Sequence, residues 1–71
     1  MTRYRLSASI PAIYHTPEGP ELRVMLPAGA VLVETVLDST LFGMIGVYWE
    51  KRYYSVHRRD LLKKAERVST A

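Results

Sequence analysis

The stretch Gly43-Met-Ile-Gly-Val-Tyr-Trp-Glu-Lys-Arg-Tyr-Tyr-Ser-Val56 alternates two kinds of side chain on either side of a charged centre. Such alternation predicts two antiparallel strands joined by a hairpin turn, which we place at Lys51-Arg52. Successive side chains of a strand point to opposite faces, so the hairpin has a core face and an outward face. The predicted core face carries Ile45, Val47, Trp49, Tyr54 and Val56. The predicted outward face carries Met44, Tyr48, Tyr53 and Ser55.

The position of the turn sets the register of the hairpin and pairs Trp49 with Tyr54. A two-residue hairpin turn usually needs positive φ at both positions, which Asn-Gly or Asp-Gly supplies and Lys51-Arg52 does not. Two alternatives follow: Lys51 is strained, or the loop has four residues, from Glu50 to Tyr53. The second alternative keeps the pairing of Trp49 with Tyr54.

The rest of the chain also predicts short strands separated by turns. Apolar and polar residues alternate over 3–10 up to Pro11, where the strand either ends or resumes through Ile13-Tyr14. They alternate again over 21–26, and a β-branched run covers 31–37. Turn residues separate these segments at Thr16-Pro-Glu-Gly19, Pro27-Ala-Gly29 and Asp38-Ser-Thr40. The sequence therefore predicts an all-β fold of five or six short strands in a single domain, residues 1–71.

Two structures fit the segment 59–68. Leu61, Ala65 and Val68 have the i, i+4, i+7 spacing of a short amphipathic helix, which Asp60 could cap. Alternatively, a 3₁₀ turn over 59–62 precedes a last strand over 65–68. We favour the turn and strand, because a small barrel needs its edge closed. A 3₁₀ turn or short helix is thus expected near residues 59–66.

Length and composition exclude several classes of protein. The 71 residues include no cysteine, which excludes disulfides and thiolate metal sites. No apolar run approaches the roughly 18 residues of a membrane span, and the N-terminal region lacks the apolar core of a signal peptide. We therefore expect a cytoplasmic protein without membrane contact. The net charge of +3 combines −1 over residues 1–49 with +4 over residues 50–71, so the basic character belongs to the C-terminal third.

Several stretches resemble bacterial SH3-like domains. Leu26-Pro-Ala-Gly29-Ala-Val-Leu-Val33 is similar to their L-x-x-G-x-x-L-x-V motif, and Ile13-Tyr14-His-Thr-Pro17 is similar to the preceding v-y-x-x-p. Gly46-Val-Tyr-Trp49, Tyr54-Ser-Val56 and Asp60-Leu61 resemble their later hairpin and the turn after it. The resemblance covers most of the chain and implies a small SH3-like barrel.

The chain departs from the binding motifs of this family. Eukaryotic-type members grip proline-rich peptides with A-L-Y-D-Y and P-x-x-Y segments, but here His57-Arg-Arg-Asp60 replaces the proline motif. Trp49 falls on the predicted core face rather than at the start of a strand. The G-W-V of bacterial wall-binding members is absent as well. The resemblance therefore does not imply the recognition of polyproline.

No set of residues predicts catalysis. Ser55 and His57 would share one face of a strand near Asp60, but an oriented third group, an oxyanion hole and a pocket are all missing from the pattern. His15 stands in a proline-rich loop without a second ligand at metal spacing. The glycines form no phosphate-binding motif before a helix. We therefore expect a non-catalytic protein without cofactor, metal or small-molecule substrate.

The outward face of the hairpin is the best candidate binding site, and three interpretations fit it. It could bind a protein partner or a second copy of the chain, since tyrosine, methionine and arginine are enriched in interfaces. It could stack nucleobases, as small single-strand-binding barrels do. It could also only stabilise the hairpin. The predicted partner-binding residues are Met44, Tyr48, Tyr53 and Arg52. The predicted residues for nucleic acid are Arg58, Arg59, Lys63 and Lys64.

Overall fold

The computed structural model describes residues 2–35 and 43–68. Strands make up 57% of the structure, and the predicted all-β class is confirmed. The described elements follow one another as β1 (Arg3–Leu6), β2 (Ile10–Tyr14), β3 (Leu22–Leu26), β4 (Val31–Glu34), β5 (Met44–Trp49), β6 (Arg52–His57), α1 (Arg58–Lys64) and β7 (Ala65–Val68). The predicted turn over 38–40 and the end of the predicted strand over 31–37 lie outside the described residues.

The described residues form seven strands, whereas we predicted five or six. The difference arises early in the chain, because the first predicted strand is two: β1 ends at Leu6 and β2 begins at Ile10. All neighbouring strands are antiparallel and form one sheet in the order β3-β2-β6-β5-β4-β1-β7. Over the described residues this sheet is not closed, since β3 and β7 remain its ends.

Pro11 lies inside β2 and does not interrupt it. The proline pairs with Met25 of β3, whereas β6 pairs with β2 only at Ile13 and Tyr14. A proline has no N–H and is tolerated in a sheet where one side lacks a partner strand. Pro11 therefore sits in the part of β2 that β6 does not cover.

The turn of the β5–β6 hairpin lies one residue earlier in the chain than predicted, which shifts the pairing partner of each residue by two. Its turn is Glu50-Lys51, with φ values of 51° and 65°, and Trp49 pairs with Arg52 rather than with Tyr54. Both turn residues therefore adopt the left-handed conformation of a two-residue hairpin turn without a glycine. A register error of two residues leaves every side chain on its predicted face, because the side-chain period of a strand is two.

The predicted core face does form the core. Val47 and Val56 are fully buried, Tyr54 is 5% exposed, and Ile45 and Trp49 are partly buried against them. The other strands and the helix complete this cluster with Leu6, Ile10, Ala12, Leu26, Ala30, Leu32 and Leu61. One face of the sheet is thus the interior of the protein, and we call the opposite side of β2, β6, β5 and β4 the outer face.

The C-terminal segment contains both a short helix and a last strand. The helix covers Arg58–Lys64 and buries only Leu61, and β7 then pairs with β1. The structure therefore contains both the final strand and the short helix that we expected near residues 59–66, and the helix replaces the 3₁₀ turn that we favoured. Asp60 is not the cap, since the helix begins two residues earlier. It lies in the first helical turn, with Lys63 and Lys64 in the last, and both placements are favourable for the helix dipole.

Tyr4 links β1 to β4 at the border of the core. Its hydroxyl donates a hydrogen bond of 3.0 Å to Glu34 Oε1. Partial burial raises the pKa of the Tyr4 phenol above its ordinary value of 10.0, and the hydrogen bond to Glu34 and the charge of its carboxylate add to this increase. The folded state therefore resists ionisation of this tyrosine more than the unfolded chain does.

This difference predicts a loss of stability in alkali that depends on Tyr4. A raised pKa in the folded state stabilises the protein below the unfolded pKa and ceases to do so as the pH rises through the folded pKa. We expect the wild type to lose more of its free energy of unfolding between neutral pH and about pH 11 than Tyr4→Phe does. Urea titrations at the two pH values measure both losses, and equal losses would contradict the prediction.

Candidate functional site

The outer face presents a tyrosine pair at the turn end of the hairpin. Tyr48 and Tyr53 are directly opposite each other in the β5–β6 ladder, with ring centroids 4.2 Å apart and planes inclined by 56°. The two residues are 37% and 40% exposed. Cross-strand pairing holds them together, and their outward position leaves their remaining surface available.

Neighbouring strands extend this pair into a row across the outer face. Val33 of β4 is opposite Tyr48, and Arg3 of β1 is opposite Val33. On the other side, the backbone N–H of His15 donates a hydrogen bond of 3.2 Å to the carbonyl of Tyr53. The tyrosine pair thus lies between an aliphatic side chain and a histidine.

His15 connects this row to the next one through its side chain. Its Nε2 lies 2.5 Å from Ser55 Oγ, and its Nδ1 lies 3.0 Å from Glu21 Oε2. Ser55 is 6% exposed, whereas the side chains of His15 and Glu21 are 39% and 62% exposed. The three side chains form a serine–histidine–carboxylate chain that runs from a nearly buried hydroxyl to a solvated acid.

The fold explains why these three residues meet. Residues 15–21 connect β2 to β3, and pairing between those strands brings Glu21 back beside His15. The connection also folds on itself, because the hydroxyl of Thr16 accepts a hydrogen bond from Gly19 N–H and donates one to the carbonyl of Pro20. Ser55 joins the pair because β6 lies next to β2, with Ile13 opposite Ser55.

A pocket of about 260 Å³ opens beside Ser55. Apolar groups supply most of its wall, and two basic side chains complete it. The lining residues are Pro11, Ala12, Ile13, Met44, Ser55, Arg23 and His57. This volume lies just below the roughly 300–1,000 Å³ of ordinary ligand sites, so the pocket suits only a small group.

The predicted partner-binding residues do not all lie together. Met44 pairs with His57 and lines the pocket, so Gly46 separates it from Tyr48 along β5. Arg52 is opposite Trp49, on the core side of the hairpin, and its guanidinium lies 5.3 Å from the centre of the Tyr14 ring. The structure therefore brings together Tyr48 and Tyr53 from this set.

The four predicted residues for nucleic acid all lie on α1 and are exposed. Arg58 and Arg59 occupy the start of the helix, and Lys63 and Lys64 its end. Arg58, Arg59 and the 78% exposed Leu62 border a second depression of about 310 Å³, together with His57. These cations are grouped on one element, apart from the tyrosine pair.

The serine chain differs from the candidates considered in the sequence. His57 does share the outer face with Ser55, but the hydroxyl of Ser55 contacts His15 instead, and Asp60 belongs to the helix. In the sequence His15 is an isolated histidine of a proline-rich loop, and nothing there relates it to Glu21. No local spacing could have revealed the contact, since 40 positions separate His15 from Ser55.

Over residues 2–35 and 43–68, no group of three histidine, aspartate or glutamate side chains is arranged to hold a metal ion. In the same part of the chain, the helical segment is too short and too polar to cross a bilayer.

Comparison with protein-family models, curated proteins and solved structures finds no match for the chain. The candidate site must therefore be interpreted from its geometry.

Proposed function

We propose that the chain is an interaction module that binds a protein partner, or a second copy of itself, through Tyr48 and Tyr53. The observation that carries this proposal is the contact between the two rings on the outer face, where both remain more than one-third exposed. Tyrosine contributes large contact area at low entropic cost and is enriched in interface cores.

The composition of the surrounding surface supports a protein partner. Val33 extends the pair with an aliphatic side chain, and Arg3 follows at the next strand. An aromatic centre with a charged edge is the usual anatomy of a protein interface.

The arrangement of a long-loop hairpin, a tight hairpin, a short helix and a final strand supports an SH3-like barrel as the finer description of the fold. We place the protein in the cytoplasm, in keeping with its lack of cysteine.

A second candidate function is the binding of a nucleic acid through α1. Four exposed cations within seven residues favour it, since phosphate contacts are made by such groups. The tyrosine pair lies elsewhere on the protein, so this function would rest on charge without base stacking by Tyr48 and Tyr53. Binding of this kind weakens steeply with salt, whereas an apolar contact does not.

The double variant Tyr48→Ser, Tyr53→Ser tests the proposed function. We expect it to abolish self-association or partner capture while the free energy of unfolding falls by only about 1–2 kcal/mol, because the rings pack mainly on each other. Light scattering over a concentration series and quantitative pull-downs compare it with wild type. Repeating them at high salt, and adding single-stranded DNA, separates the two candidate functions.

A matched control removes exposed apolar surface elsewhere. Leu22 and Met25 of β3 are 48% and 60% exposed, so Leu22→Ser, Met25→Ser should leave association unchanged. The proposal fails if the wild type neither self-associates nor captures a partner, or if the tyrosine variant behaves as the control does.

A further inference from the structure

We infer that Ser55 is an activated nucleophile that accepts short acyl groups from small carboxylic esters, with His15 as its general base. This activity goes beyond the proposed function and uses different side chains, so either proposal can fail without the other. Glu21 is a positioning residue, because it contacts His15 and not the reacting atoms.

The two distances fit an activated serine when the His15 ring is neutral and carries its hydrogen on Nδ1. Glu21 Oε2 lies 3.0 Å from His15 Nδ1, so a carboxylate accepts the hydrogen of this ring nitrogen. The neutral imidazole then presents a lone pair at Nε2, 2.5 Å from Ser55 Oγ. In this tautomer Ser55 donates its hydroxyl hydrogen to the nitrogen that can remove it, which is the arrangement of an activated serine.

The pocket supplies room for a substrate next to the hydroxyl. Ser55 is itself one of the lining residues, although it is only 6% exposed, so the pocket lies directly beside the proposed nucleophile. Ile13 and Met44 offer an apolar wall to an acyl chain. The volume of about 260 Å³ favours short chains over long ones.

The covalent step balances without any further reagent. Ser55 Oγ attacks the ester carbonyl as its proton passes to His15 Nε2, and the resulting tetrahedral oxyanion collapses by expelling the alcohol oxygen. His15 returns the proton to that oxygen, which leaves an acyl-serine and a free alcohol. Water, with His15 again as the base, releases the carboxylic acid.

Side chains, rather than the backbone N–H of Ser55, supply the hydrogen-bond donors for the oxyanion. The carbonyl of Gly46 points toward β4, where it accepts a hydrogen bond of 3.0 Å from the N–H of Thr35. Gly46 and Ser55 are opposite each other in the β5–β6 ladder, and they therefore form a pair without backbone hydrogen bonds between them. The N–H of Ser55 then points to β2 and belongs to the ladder. Arg23 and His57 are the basic side chains lining the pocket that can supply donors. Since a single oxyanion donor can account for about 10²–10³ in rate, we expect slow turnover and an accumulating adduct.

A fluorophosphonate probe tests the nucleophile without requiring turnover. Attack by Ser55 on phosphorus expels fluoride, and intact-mass measurement counts the adduct while peptide mapping locates it. We expect one label per chain, on Ser55. Labelling should disappear in Ser55→Ala and slow by about 10²–10⁴ in His15→Ala, the usual contribution of a general base. A merely steric role for His15 would instead speed labelling, because its removal uncovers the hydroxyl.

Glu21→Gln distinguishes a positioning residue from a structural one. Loss of the carboxylate that accepts the Nδ1 hydrogen should slow labelling, and Glu21→Asp, which keeps a carboxylate, should restore part of the rate. Glu18→Gln, an exposed acid of the same loop, is the matched control and should label as the wild type does. Both positions are exposed, so these variants are expected to fold even if Ser55→Ala does not.

Short-chain p-nitrophenyl esters then test the substrate class. We expect a burst of p-nitrophenolate equal to the acyl-Ser55 formed, faster for acetate than for octanoate. The inference is overturned if the probe leaves Ser55 unlabelled, if it labels the exposed Ser7 and Ser9 equally, or if His15→Ala labels as fast as wild type. Any of those results would mean that the contacts among the three side chains only hold the 15–21 loop against β6.

Discussion

Tyr54→Ala is expected to lower the free energy of unfolding by roughly 3–5 kcal/mol, the usual cost of deleting a buried aromatic side chain. Tyr54 is 5% exposed, and its ring lies 5.4 Å from the ring of Tyr14 and 6.1 Å from that of Trp49. Its removal leaves a cavity and ends both aromatic contacts. A domain of this size has a total stability on the order of 4–10 kcal/mol, so much of the variant should unfold.

The adjacent Tyr53→Ala is the matched control, since it makes the same chemical change on the outer face. Tyr53 contacts Tyr48 and is 40% exposed, so its removal should cost about 1 kcal/mol or less. Urea denaturation followed by far-UV circular dichroism gives both values. Equal losses for the two variants would mean that the core and outer faces of the hairpin are assigned wrongly.

The face of each hairpin residue could be predicted from the sequence, whereas the turn could not. Faces depend on the parity of the pairing, and the alternation around Val47 and Val56 makes that parity unambiguous. The position of the turn depends on backbone conformation at Glu50 and Lys51, both of which adopt positive φ without a residue that signals it. The error of two residues was therefore invisible in the hydrophobic pattern.

The boundary between β1 and β2 shows a second limit of local patterns. Proline often interrupts a strand, so the sequence predicts a first strand that reaches Pro11 and either ends there or resumes through Ile13-Tyr14. The break falls instead between Leu6 and Ile10, and the proline remains in a strand because β6 stops pairing before it. Whether a strand has one partner or two is a property of the sheet and not of its own residues.

The two parts of the candidate site differ in the same way, because one depends on local alternation and the other on which strands are neighbours. The tyrosine pair follows from the alternation within one hairpin, and the sequence predicted both members on the outward face. The chain of Ser55, His15 and Glu21 needs β2 beside β6 and β3 beside β2, which no spacing in the sequence encodes. Contacts between distant segments, such as that of His15 with Ser55, are therefore visible only in the folded structure.

Leu61→Ala is expected to lower the free energy of unfolding by roughly 2–5 kcal/mol, because Leu61 is 3% exposed and is the buried residue of α1. The helix has only seven residues and cannot be stable by its own propensity. Burial of this leucine in the core is what holds it in place, and the helix in turn delivers the chain to β7, which pairs with β1.

Leu62→Ala isolates the effect of burial from every other consequence of the substitution. Leu62 is the next residue of the same helix and is 78% exposed, so both variants make the same change in helix propensity. We expect Leu62→Ala to alter stability by no more than about 0.5 kcal/mol. Chemical denaturation of the two variants under identical conditions decides the matter. A small loss for Leu61→Ala would show that α1 is dispensable for the sheet, and β7 would then be held by its pairing with β1 alone.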